Sequence, residues 1–346
     1  MYATIQASRA VAAIVVVMFH LGGTIALDKY FGLAVFSKLF AFGHAGVDFF
    51  FVLSGFIITY VHWHDFGKPE RLLSYLRKRA VRIYPAYWMV FFLVCVGAYV
   101  YPGLRDSVPS DPLLLLKSLA LVPQDKLAVG GTGAPVVVVA WSLQYEWLFY
   151  ALMAIFIVSI RWGFVVVVGV AMVSVYGWKS TEFPVSFIAR EWLFLFGMGA
   201  LVGTVLRQPW RVRKPKMWAL LGGFVFLGTA VVDGLWVEGE AAYLSWWYGL
   251  GSAMMIFGLV KLEDGGISSQ WKKPWVLQLG DASYVLYLIH FPIISLLCKV
   301  AVKIGLAGVG GAVATFVVVL LFCVFSAVVF HRAIEKPLLR QLSEKK

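Results

Sequence analysis

The chain has 346 residues, of which 61% are hydrophobic and only 14% charged, against roughly 25% charged in an ordinary soluble domain. A soluble globular fold of this length has no use for so many charge-free apolar blocks, so that class is excluded. The formal net charge of +12 sits in short segments between those blocks, which reads as topology signalling and argues against a nucleic-acid partner.

The apolar blocks run to about 20 residues, the length that crosses a ~30 Å hydrocarbon core. Ten spans are predicted, over 10–27, 45–63, 84–101, 141–160, 163–178, 188–206, 217–236, 241–260, 279–301 and 307–331. No small-residue cleavage site follows the first apolar run, so it is expected to stay as a helix and not to be cleaved as a signal peptide. With the N-terminus placed in the cytoplasm, the cytoplasmic segments carry 21 of the 30 Lys and Arg residues and the outer segments 9. The expected fold is therefore an all-α integral membrane protein of about ten transmembrane helices, both termini cytoplasmic, in a bacterial inner membrane. Residues 1–346 are expected to form one transmembrane domain with no fused soluble domain.

Ionisable residues inside such spans mark functional sites, because placing them in hydrocarbon is costly. Arg9 opens the first span and His20 follows eleven residues later, about 16 Å along the helix and on the same face. Arg9 alone serves equally as an anchor, and His20 alone as a core histidine; the pair on one face points to chemistry. The second span holds Asp48 and, among large aromatics, the small residues Ser54 and Gly55. Small residues admit either a neighbouring backbone or a slender ligand. Before the third span, RKRAVR places Arg79 and Arg82 on one helix face, suited to gripping phosphate or to anchoring at the membrane surface.

The outer segment 102–140 is long, begins at Pro102, and contains an apolar stretch at 113–122 too short to span. It is expected either to act as a lid or to pack over helix ends. In the fourth span, WSLQYEWLFY places Glu146 roughly 7 Å below the outer surface, a depth His20 is expected to share. A carboxylate beside a histidine fixes its tautomer and stabilises its imidazolium, the arrangement of a general base, with Asp48 as the rival carboxylate. Ser142 and Tyr145, in the same run, are expected to line the cavity. So are Tyr287 and His290 in LGDASYVLYLIHFP of the ninth span. Glu335, in HRAIEKPLLR, is placed to orient one of the arginines. Cys95, Cys298 and Cys323 fall inside apolar spans, and neither they nor the six histidines show ligand spacing, so no metal and no permanently bound cofactor are expected.

In this order, the Arg9–His20 pair, the run Gly43–Phe56, RKRAVRIYPAYW, WSLQYEWLFY, LGDASYVLYLIHFP and IEKP resemble the membrane-bound acyltransferase family 3, especially its short exopolysaccharide acetyltransferases. The resemblance implies transfer of an acyl group, usually acetyl, from cytoplasmic acyl-CoA to a hydroxyl of an extracytoplasmic glycan or lipid-linked sugar. Acetyl-CoA is then a donor substrate, and membrane lipid and polysaccharide-assembly proteins are expected surroundings. On the resemblance, Arg79 and Arg82 take the CoA phosphates with Arg9, Ser54, Gly55 and Glu335 near the donor. His20 acts either as base or as acyl carrier. Two alternatives stand beside it: acylation of a small glycosylated molecule, and a transporter or flippase without covalent chemistry.

Overall fold

The computed structural model describes residues 2–101, 108–209, 213–236, 242–266 and 272–344. Residues 102–107 of the expected outer loop, with Pro102, lie outside these, as does residue 241 at the start of the expected eighth span.

Among the described residues the chain is helical, and each expected span meets a helix. These are α1 (Ala3–Ile25), α2 (Ala45–His62), α3 (Leu72–Val100), α4 (Trp141–Val158), α5 (Ile160–Tyr176), α6 (Trp192–Arg207), α7 (Pro215–Trp236), α8 (Ala242–Asp264), α9 (Pro274–Lys303) and α10 (Gly308–Phe330). A π-helical turn, His331–Glu335, leads into α11 (Lys336–Glu344). Seven of the ten are long and apolar enough to cross a membrane. Of the other three, α5 and α6 have 17 and 16 residues, and α8 ends on Lys261, Glu263 and Asp264. The chain is a multi-pass membrane protein. On α5, Gly163 and Ser174 are the buried residues, and Phe164, Val165, Val168, Met172 and Val175 face outward, as a lipid-contacting helix requires.

One end of the bundle collects the basic residues. There the start of α1 meets the end of α8: the Glu263 carboxylate accepts from the backbone N–H groups of Ala3 and Thr4 at 2.9 Å and caps the helix. Arg207, ending α6, donates to the Tyr60 carbonyl near the end of α2. Arg77, in the second turn of α3, donates to the Leu342 carbonyl of α11. This cap explains why α1 starts seven residues before its expected boundary. Thr4, Gln6 and Arg9 are polar, but each has a partner inside the protein.

Helices α2 and α6 approach closely enough that a Cβ on Gly55 would lie 2.0 Å from the Phe196 carbonyl oxygen, and one on Gly199 1.8 Å from that of Val52. Gly55 therefore serves backbone-to-backbone packing, and its expected place beside an acyl donor is corrected.

The described part of the 102–140 segment is tucked into the bundle. Leu121, Val136, Val137, Val139 and Ala140 are buried, and Tyr87 donates to the Ser118 carbonyl at 2.6 Å. It delivers α4 below the far rim: Ser142, in the first turn of α4, bonds Tyr287, which is 16 residues short of the far end of α9.

Candidate acyl-transfer site

A cavity of about 910 Å³ runs from the basic end into the bundle between α2, α3, α4, α9 and α11. Its wall holds Arg9, Ser54, Arg79, Arg82, Glu146, Ser142 and Tyr287, joining most of the singled-out residues in one space. Each arrives through helix periodicity. Val47, Phe50, Phe51, Ser54, Ile57 and Ile58 form one stripe of α2, while Gly55 falls on the stripe facing α6.

At the basic end, Arg82 donates to Glu335 Oε1 at 3.2 Å while Glu335 Oε2 meets His331 Nδ1 at 2.5 Å. Glu335 is 2% exposed, so this carboxylate is held entirely by the two cation-forming partners and fixes Arg82 over the Tyr284 ring. The π-turn places His331 and Glu335 within reach of each other and of α3. Of the two arginines before the third expected span, Glu335 pairs with Arg82. Arg79 stands with its guanidinium 5.8 Å from the centre of the Tyr150 ring, and its Nε has no hydrogen-bond partner among the described residues.

Deeper in, Arg9 donates to Gln6 Oε1 at 3.1 Å, and Gln6 in turn donates to Asp281 of α9. This relay holds Arg9 toward the cavity. Sequence reasoning passed over Gln6 and Asp281, although an acid inside LGDASYVLYLIHFP was a visible signal. Arg9 sits within electrostatic reach of Arg82, Asp281, Glu335 and Glu146.

Glu146 is not beside His20, and its expected pairing with that histidine is corrected. Its carboxylate accepts from Ser54 Oγ at 3.2 Å and from the Tyr150 hydroxyl. Because α4 starts deep, Glu146 lies one turn nearer the basic end than Ser142, whereas His290 lies one turn beyond Tyr287. The two turns separate Glu146 from the histidines by on the order of 10 Å along the bundle. Asp48 is buried at 3% exposure, lies within electrostatic reach of Tyr248 of α8, and is not in the cavity wall. Tyr145 also leaves the expected set: its hydroxyl donates to the Phe187 carbonyl at 2.8 Å and its ring stacks on Phe187, away from the cavity.

The cavity ends at a hydroxyl pair, Ser142 Oγ and Tyr287 Oη, 2.8 Å apart, with Tyr287 donating to the Val139 carbonyl at 3.0 Å. Immediately beyond are the two intramembrane histidines. The His290 ring lies 5.8 Å from that of Tyr287 and 5.1 Å from that of His20. Phe19 and Phe291 pack edge-on to His20. Neither His20 nor His290 lines the 910 Å³ cavity, which corrects the expected place of His290 in its wall; Tyr287, which does line it, contacts His290, and His290 contacts His20. The arrangement is a cation-lined cavity whose inner end adjoins a histidine pair.

The sequence profile of the acyltransferase domain family matches residues 2–332 of this multi-pass chain, which belongs to that family. It is 30% identical over 312 residues to the exopolysaccharide production protein ExoZ of Rhizobium meliloti (strain 1021), covering 87% of this chain and 91% of that protein. It is 23% identical over 296 residues to the acyltransferase MdmB of Streptomyces mycarofaciens, covering 77% and 72%. No solved structure matches it.

Proposed function

We propose that the protein is an O-acetyltransferase of the bacterial inner membrane, moving an acetyl group from cytoplasmic acetyl-CoA to a hydroxyl of an extracytoplasmic or lipid-linked polysaccharide. The observation that carries this reading is the 910 Å³ cavity, lined by arginines and lysines and reaching Tyr287, whose ring meets His290 and through it His20. An anionic nucleotide suits the basic end, and a thin thioester arm suits the passage beyond. The basic end faces the cytoplasm by the positive-inside rule. The polysaccharide acceptor is supported by likeness to a protein of exopolysaccharide production.

In the proposed step, His20 takes the proton of the acceptor hydroxyl as its oxygen bonds the acyl carbon. The carbon–sulfur bond breaks, and the proton passes to the departing thiolate, leaving an ester and free CoA. Arg79 and Arg82 hold the phosphates as charge-assisted donors. Arg9, deeper in the wall, donates to carbonyl oxygens of the uncharged pantetheine arm.

The test is acetyl-CoA turnover by detergent-purified protein supplied with the exopolysaccharide, wild type against His20→Ala. CoA release by wild type alone is the expected result. Equal release by both removes His20 from the mechanism, and no release by folded wild type removes the acetyl-CoA reading.

A further inference from the structure

The C-terminal helix α11 is not an appendage. Arg77 ties it to α3 through the Leu342 carbonyl, and Lys336, Leu339, Arg340 and Leu342 form part of the cavity wall. Lys336 and Arg340 are four apart, so they share one face of α11, and that face turns to the cavity mouth and not to surrounding lipid.

Arg82 is engaged by Glu335, the residue just before α11. From there α11 carries its cations outward, Arg340 standing five residues, or roughly 7 Å, beyond Glu335. The wall therefore offers an inner level, Arg79 with Arg82, and further cations leading to the mouth, Arg77 and Lys78 on α3 and, on α11, Lys336 beside Glu335 with Arg340 one turn farther out. A CoA thioester carries phosphate in two places, a diphosphate at the head of the pantetheine arm and a monoester on the ribose 3′ oxygen. If the arm leads inward, the diphosphate meets the inner level and the 3′-phosphate, at the nucleotide end, stays at the mouth.

We propose that Lys336 and Arg340 form the seat for the donor's ribose 3′-phosphate and make the protein select CoA thioesters over thioesters lacking that group. This rests on the acyl-CoA reading of the cavity. A lipid headgroup phosphate is the other source of the same chemistry, and it predicts no dependence on the donor's ribose.

The experiment compares acetyl-CoA with 3′-dephospho-acetyl-CoA as donors for the full chain in detergent, reading KM for each. Wild type is expected to show a KM about tenfold lower for acetyl-CoA, the worth of about one charge-assisted hydrogen bond net of solvent competition. In the Lys336→Ala/Arg340→Ala variant the gap closes, because acetyl-CoA falls to the level of the dephospho donor. Lys336→Arg/Arg340→Lys keeps the gap. The dephospho donor, measured on the same sample, separates a lost seat from a damaged protein. Equal KM values in wild type, or a gap that survives the double alanine change, overturn the seat while leaving the donor reading in place. Turnover of neither thioester by folded wild type removes both.

Discussion

The imidazole rings of His20 and His290 lie 5.1 Å apart at an interplanar angle of 35°, contributed by α1 and α9. His290 is fully buried; its Nδ1 lies 2.7 Å from the Tyr287 carbonyl, and its Nε2 has no hydrogen-bond partner among the described residues. A carbonyl only accepts, so Nδ1 carries the proton and Nε2 presents a lone pair. An unpaired buried acceptor is expensive, and its retention beside a second imidazole points to a task during turnover.

His290→Ala is accordingly expected to lower kcat by about 10–100-fold with little change in donor KM, and His20→Ala to lower it by about 10²–10⁴, the range for losing a general base. Steady-state CoA release with each variant checks this. A His290→Ala enzyme with unchanged kcat leaves that residue a packing group.

Glu146 provides the contrast. An orienting carboxylate is worth on the order of 10⁴ in rate when its removal leaves the base in the wrong tautomer. Glu146 instead accepts from Ser54 and Tyr150, well away from His20. Glu146→Gln, which keeps the shape and the acceptor oxygen, is expected to cost about tenfold or less in kcat and to act mainly on donor KM through the arginines. A loss approaching that of His20→Ala would place Glu146 back beside the histidine during the reaction.

The reach and the limit of the sequence can be seen in these same residues. Helix positions followed from apolar length, Arg9 was legible from sharing a helix face with His20, Arg79 and Arg82 from sharing one at the start of a span, and Glu335 from the basic run around it. Depth across helices was not legible. The buried segment before Trp141 lowers α4 relative to α1, a tertiary fact with no local signature, and it separates Glu146 from His20. Which of two adjacent small residues faces the cavity was also hidden: Ser54 and Gly55 differ by about 100° around α2, and only the position of α6 decides between them. Lys336 and Arg340 read as ordinary positive-inside charge until α11 was seen to fold back on the cavity.

The Glu335 pairing gives a prediction on donor affinity. Breaking a buried ion pair by removing one member costs about 3–5 kcal/mol when both partners are buried. Arg82 is 33% exposed, and solvent screening reduces that figure. Glu335→Ala is expected to raise the KM for acetyl-CoA about tenfold by releasing Arg82 from its place over Tyr284, with a modest fall in Tm. An unchanged KM together with a lower Tm would make the pair purely structural.

The α2–α6 crossing tests the fold without reference to chemistry. A methyl on Gly55 would overlap the Phe196 carbonyl at 2.0 Å, and one on Gly199 the Val52 carbonyl at 1.8 Å. Both obstacles are backbone, so no rotamer change relieves them and the helices must move apart. Gly197, on the same helix, has nothing within 4 Å of the place a methyl would take. Gly55→Ala and Gly199→Ala are expected to destabilise by about 1–3 kcal/mol or more, the range for overpacking a tight interface. Gly197→Ala is expected to be neutral or slightly stabilising, since alanine favours the helix. Thermal unfolding of the three variants in one detergent measures the difference. Because Arg9, Ser54 and Glu146 keep their places only if α2 keeps its seat on α6, the two damaging variants should also lose acetyl-CoA turnover at temperatures where Gly197→Ala retains it.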